Sequence, residues 1–172
     1  MDKTNQNKDK LIITRVINAP PETVFKAWSE PEQIKKWWGP KGFTSPEIQV
    51  DLRKGGKYLY CMRGTEGKFA GKDFWSGGVF KKVDIPNKLV IVDYFTDNVG
   101  KKMLPSDYGM DKNFPKESTV TITFDEENMK TRLCIMYRLP KSKLAREAIL
   151  KSGMKEGWNQ SLDKLQELVE KY

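Results

Sequence analysis

Apolar and polar residues alternate from Leu11 to Asn18 around Ile13 and Val16, and this two-residue period predicts a first strand. The period then lengthens. Pro20, Pro21 and Glu22 suit the first turn of a helix, which has spare N–H groups and a positive dipole end. Behind them Val24, Phe25 and Trp28 recur at helical spacing. Ser29 and Glu32 form a capping-box pattern with Pro31 in the first turn. Ile34, Trp37 and Trp38 make a second apolar face, which Gly39-Pro40 ends. Two short helices are expected directly after the first strand.

Strand patterns resume at Phe43 to Leu52, and Arg53-Lys54-Gly55-Gly56 turns the chain into Lys57 to Gly64. In that strand Tyr58, Tyr60 and Met62 share one face, and Leu59 and Cys61 the other. Further strands are expected at Lys72 to Val83, Leu89 to Phe95, Ser118 to Asp125 and Thr131 to Leu139. Asp84 to Asn87 and Met129-Lys130 supply turns. Seven strands on mostly short connections predict one antiparallel sheet. Lys141 to Lys151 leads into a helix, with Gly153 an expected interruption. From Met154, the residues Trp158, Ser161, Leu162, Leu165, Leu168, Val169 and Tyr172 form one stripe. That stripe needs a large apolar partner, and the sheet face is the candidate, so the predicted class is α+β. Thr96 to Glu117 is long for a hairpin connection and carries Met103, Leu104, Tyr108, Met110 and Phe114, so it is expected to fold over the core or a sheet edge.

The chain has 172 residues, 38% hydrophobic and 31% charged, enough for one domain with its own core. The expected organisation is a disordered polar leader over 1–10 and a single domain over 11–172. No run approaches a membrane span, and the first ten residues do not resemble a signal peptide, so a cytoplasmic location is expected. The net charge of +8 comes from 25 Lys and 6 Arg scattered along the chain. Scattered lysine argues against nucleic acid, which is read by arginine forks and aromatic stacking, and leaves room for an acidic protein partner. Cys61 and Cys134 fit no metal or redox spacing and are read as packing residues. The sequence contains no histidine, which excludes Ser-His-Asp and Cys-His catalysis and histidine-based metal sites. No cofactor and no metal are expected.

One strand, two helices, six strands and a long helix together resemble the helix-grip fold of START domains, pollen allergens and polyketide cyclases. The segments ITRVINAPPETVFKAWSEPEQIKKWWGPKGF, VDLRKGGKY and GWNQSLDKLQEL are similar to the family named after the activator of the heat-shock-protein-90 ATPase. Asp107-Tyr108-Gly109-Met110, Thr119 to Phe124 and Lys130 to Leu133 extend the likeness. The resemblance implies a curved seven-stranded sheet around the C-terminal helix, with a cavity between them that takes an apolar ligand. It carries over no catalytic residues. Binding of a small hydrophobic molecule ranks first, a cyclase- or aromatase-like enzyme using Tyr, Asp or Glu second, and a chaperone-associated stress factor third.

The residues expected to line the cavity are Trp37, Trp38, Phe43, Tyr60, Met62, Trp75, Tyr94, Tyr108, Met110, Trp158 and Leu162. Aromatic and methionine side chains provide adaptable apolar walls, and tyrosine adds a hydroxyl. Asp93, the one acid inside an apolar strand, has two placements: facing the cavity, where burial would raise its pKa and make it a candidate acid or base, or on the outer face with Val90, Val92 and Tyr94 turned inward, which parity slightly favours. Asp51 and Arg53 are expected to form a turn ion pair.

Overall fold

The computed structural model of the chain describes residues 8–171. Residues 1–7 of the expected leader lie outside them, and Lys8 to Lys10 belong to the folded unit. Strand β1 spans Lys10–Ile17. Ahead of it, Arg146 donates to the Lys8 carbonyl at 2.7 Å and to the Asp9 carboxylate at 2.6 Å.

Helix α1 (Pro21–Ser29) and helix α2 (Pro31–Ile34) follow as expected. The capping box does not form: Glu30 sits at the N-cap of α2 without a side-chain cap, and Ser29 points back to the Lys26 carbonyl. The helix also stops early. Trp37 and Trp38 lie in turns just beyond it, whose N–H groups still bond to the Ile34 carbonyl.

The sheet has eight strands, one more than the periodicity suggested. The run Phe43 to Leu52 breaks at Ser45-Pro46-Glu47 into β2 (Phe43–Thr44) and β3 (Ile48–Val50). Both pair antiparallel with β4 (Lys57–Gly64). Proline cannot donate to a ladder, so it interrupts the strand, and the Ser45 hydroxyl bonds to the Cys61 carbonyl at 2.7 Å instead. The remaining strands are β5 (Asp73–Asp84), β6 (Lys88–Thr96), β7 (Ser118–Glu127) and β8 (Lys130–Arg138). Their order is β1-β8-β7-β6-β5-β4-β2, all antiparallel, with β3 also on β4. The β7–β8 turn is centred on Asn128 and Met129, both at positive φ as a tight hairpin demands, one residue earlier than expected.

Helix α3 (Lys143–Lys151) and helix α4 (Met154–Val169) are separated at Gly153, whose φ of 77° is left-handed backbone that glycine adopts without strain. Leu162, Leu165 and Val169 of α4 are buried with Ile13, Ile122, Leu133 and Ile135 of the sheet and Val24 and Phe25 of α1. Arg15 ties β1 to α4 by bonding Asp163, Gln166 and the Asn159 carbonyl. A smaller core of Phe114, Ala148 and Ile149 joins the 97–117 connection to α3. The architecture is an α+β helix grip.

Candidate functional site

Pairing across the sheet puts Tyr58 of β4, Gly78 of β5 and Asp93 of β6 in one row on the inner face. The Tyr58 hydroxyl reaches over β5 and donates to Asp93 Oδ1 at 2.6 Å. Gly78 makes that possible, because a Cβ there would lie 2.5 Å from the Tyr58 hydroxyl and 2.2 Å from the Val92 carbonyl. Asp93 therefore faces inward, opposite to the expectation, together with Leu89, Ile91 and Phe95. Strand β6 is apolar on both faces, so alternation alone could not say which set faces the core.

The helices build an aromatic wall opposite this row. Trp28 of α1 stacks on Trp158 of α4 with ring centroids 5.8 Å apart. Trp38 meets Trp158 edge-on at 5.3 Å and Tyr60 at 4.7 Å. Of the four tryptophans at this end of the grip, Trp37, Trp38 and Trp158 differ in the fate of the indole N–H. Trp37 donates to the Ala27 carbonyl and Trp158 to the Tyr137 hydroxyl, both at 2.9 Å. The Trp38 N–H is buried and has no partner.

Between wall and sheet lies a cavity of about 50 Å³ bounded by Trp28, Trp38, Trp158, Tyr58, Tyr60, Tyr137 and Asp93, with apolar residues such as Ile91 and Val120 completing it. A second cavity, of about 60 Å³, shares Asp93 and Tyr137 with it and extends to Phe95, Phe114, Lys116 and Met154. Each is room for a water or two, well short of the roughly 300 Å³ of a drug-sized pocket. A larger groove of about 340 Å³ lies outside the grip, between residues 109–113 and α3.

Protein surrounds Asp93, although the residue keeps some accessible surface and both small cavities open onto it. Burial pushes its carboxyl up to about 6, and the Tyr58 hydrogen bond offsets part of that rise. Burial likewise holds the Tyr58, Tyr60 and Tyr137 hydroxyls protonated, each raised further by the neighbouring Asp93 charge. Among the described residues no lysine or arginine lines the first cavity; Lys116, at the second, is exposed. Among the described residues no three His, Cys, Asp or Glu side chains converge as a metal site. The Cys61 thiol is pushed up to about 11 by burial, which suits a packing role.

Of the residues expected at the site, Trp38, Tyr60 and Trp158 line the first cavity. Trp37 stands behind it, packed on Trp28 and Trp38. Trp75 and Tyr94 belong to the outer face of the sheet: Trp75 pairs with Cys61 and Thr96, and Lys102 lies 4.6 Å from the Tyr94 ring centroid. Leu162 is a core residue. Phe43 packs with Phe69 and Phe74, and Met62 pairs across from Phe74. Tyr108 bonds to the Thr96 carbonyl and packs on Phe74 and Phe95, and Met110 packs in the smaller core. Asp51 and Arg53 pair at 2.9 Å on the turn, as expected. The residues missed were Trp28, Tyr58, Tyr137 and the inward Asp93. One signal was present: Gly77-Gly78 inside a strand marks a place where something crosses close to the backbone.

Residues 18–170 match the family described as "Activator of Hsp90 ATPase homolog 1-like protein". The chain belongs to that family. Among solved structures, a protein from Mycobacterium smegmatis is 25% identical with a TM-score of 0.77, over 95% of this chain and 91% of that one. A protein from Staphylococcus epidermidis is 26% identical with a TM-score of 0.71, over 95% and 91%. A family namesake from Silicibacter pomeroyi is 23% identical, with a TM-score of 0.68 over 95% and 99%, a likeness of fold. No curated protein matches the chain. Family membership accounts for the helix-grip architecture, and no helix is long and apolar enough to cross a membrane among the described residues.

Proposed function

We propose that this family member binds a small, largely apolar molecule in the space between the sheet and α4, which opens to admit it. The observation that carries the reading is Asp93, a carboxylate set among aromatic rings with one hydrogen-bond donor, in a cavity also lined by Trp38, whose N–H is unpartnered. Burying such groups costs free energy that a packing role alone does not return, whereas a ligand satisfies both. Native mass spectrometry of protein purified from its own host tests the reading. A bound small molecule is expected, and Leu52→Trp, which fills the cavity from its half-buried rim, should lose it while keeping its fold. Absence of any adduct from the native protein overturns the reading. Stimulation of the chaperone's ATP turnover by wild type and Leu52→Trp alike would move the function to the outer surface.

The Asp93–Tyr58 pair also favours a second reading, proton transfer on a bound carbonyl compound. A carboxylate raised to about 6 is matched to general-base work, and a further hydroxyl such as that of Tyr60, which lines the same cavity, can support a developing oxyanion. Exchange of α-hydrogens of a ketone probe in deuterated water, accelerated by wild type and not by Asp93→Asn, is the expected result. Equal rates with both proteins would remove it.

A further inference from the structure

Two unmet needs converge on the first cavity. Asp93 has no cationic side chain within the cavity to balance it, and its one donor is the neutral Tyr58 hydroxyl. The Trp38 indole N–H is buried without an acceptor. Ser29 and the tyrosine hydroxyls aside, the rest of the lining is aromatic or aliphatic. Among the described residues, Asp93 shares its two cavities with the neutral Tyr58 and Tyr60 of β4, Ser76 of β5, Ser118 of β7, Tyr137 of β8 and Trp158 of α4, and with one charged group, the exposed Lys116 of the 97–117 connection, at the second cavity only.

Resting on the reading that this cavity takes a ligand, we infer that the ligand is a small organic monocation carrying a hydrogen-bond acceptor, of the amino-alcohol class. Asp93 is its counter-ion, the Trp38 N–H its donor, and the tryptophan and tyrosine rings its walls. An ammonium is attracted to aromatic faces by the ring quadrupole, and the attraction strengthens when water is excluded. A neutral apolar ligand would leave the carboxylate without a counter-ion in the first cavity, which is the costlier arrangement. A ligand of a few heavy atoms also suits two small cavities that meet at Asp93 better than a steroid- or polyketide-sized molecule does.

Calorimetric titration with ethanolamine and choline, each against its neutral carbon isostere (propanol and neohexanol), tests the inference. Each cation should bind at least about tenfold tighter than its isostere. That preference should fade between roughly pH 7.5 and roughly pH 5, because Asp93 gains a proton while the ammonium keeps its charge. Asp93→Asn should abolish the preference. Tyr58→Phe keeps the carboxylate but removes its donor, so it should retain the preference and move the pH midpoint upward. Isosteres that bind as tightly as the cations, or a preference that survives in Asp93→Asn, overturn the inference and leave cavity binding standing. Failure of all four probes overturns it too; the native adduct separately decides whether cavity binding falls with it.

Discussion

The Tyr58 hydroxyl, on β4, donates to the Asp93 carboxylate, on β6, at 2.6 Å by lying across the intervening strand at Gly78. A contact between strands that are not neighbours is open only where the middle one lacks a side chain on that face. The geometry therefore depends on three residues that are far apart in sequence and adjacent in register.

Gly78→Ala should break the arrangement. The added methyl would overlap both the Tyr58 ring and the Val92 carbonyl, and backbone cannot swing aside as a side-chain tip can. A loss of stability of about 2–4 kcal/mol is expected by chemical denaturation, in the range of other overpacking and strain effects. An unchanged denaturation midpoint would contradict the crossing geometry.

Asp93 should impress its titration on folding. Its folded-state value is raised to about 6 by burial, against about 3.9 unfolded, so between these values the folded form holds the extra proton. Stability should then fall as pH rises through that window and level off above it, with a total change of about 3 kcal/mol at most. Asp93→Asn removes the charge and keeps an acceptor for Tyr58. The variant should be more stable than wild type at roughly pH 7.5, and the difference should vanish near pH 4. Parallel stability curves for the two proteins would show that Asp93 does not ionise in a buried setting.

The adjacent tryptophans should respond differently to truncation. Trp37 is 1% exposed and donates to the Ala27 carbonyl, so Trp37→Phe leaves a void and an unpaired carbonyl. A cost of about 2–4 kcal/mol is expected. Trp38→Phe keeps an aromatic ring and deletes an N–H that has no partner, so it should cost under about 1.5 kcal/mol. Thermal melts of the two variants decide the ordering, and equal losses would argue against it.

Tyr108 pins the long connection to the sheet through the Thr96 carbonyl. Tyr108→Phe preserves the ring contacts with Phe74 and Phe95 and removes only this bond. A loss of about 1 kcal/mol is expected, with faster amide exchange confined to residues 96–117. Exchange that rises uniformly across the sheet would mean that the connection is not a separate unit.

Which parts of this were readable in the chain follows from what each signal depends on. The order of elements was legible because Val24, Phe25 and Trp28 and the stripe from Met154 to Val169 repeat at helical spacing, while Val120, Ile122 and Phe124 alternate. Local pattern also found Trp38 and Trp158, since large aromatic residues on a helix, or just past its end, that face a sheet meet over its centre. The direction of Asp93 and Tyr94 was not legible, because Val90, Val92, Leu89 and Ile91 are all apolar and either parity gives a plausible core. Trp75 was misplaced for the same reason: β4 is buried on both faces, Leu59 and Cys61 along with Tyr58 and Tyr60. The Tyr58–Asp93 bond depends on register across three strands, which periodicity within one strand does not encode.

The interruption of the chain at Ser45-Pro46-Glu47 has a consequence for behaviour at high concentration. The far margin of the sheet is made of a two-residue and a three-residue piece, with a proline between them that offers no N–H. A second molecule approaching that margin finds no unbroken ladder to extend, so templated stacking into fibrils is disfavoured there. Dividing one strand into two thus gives up a little pairing energy and shields this margin of the sheet from other copies.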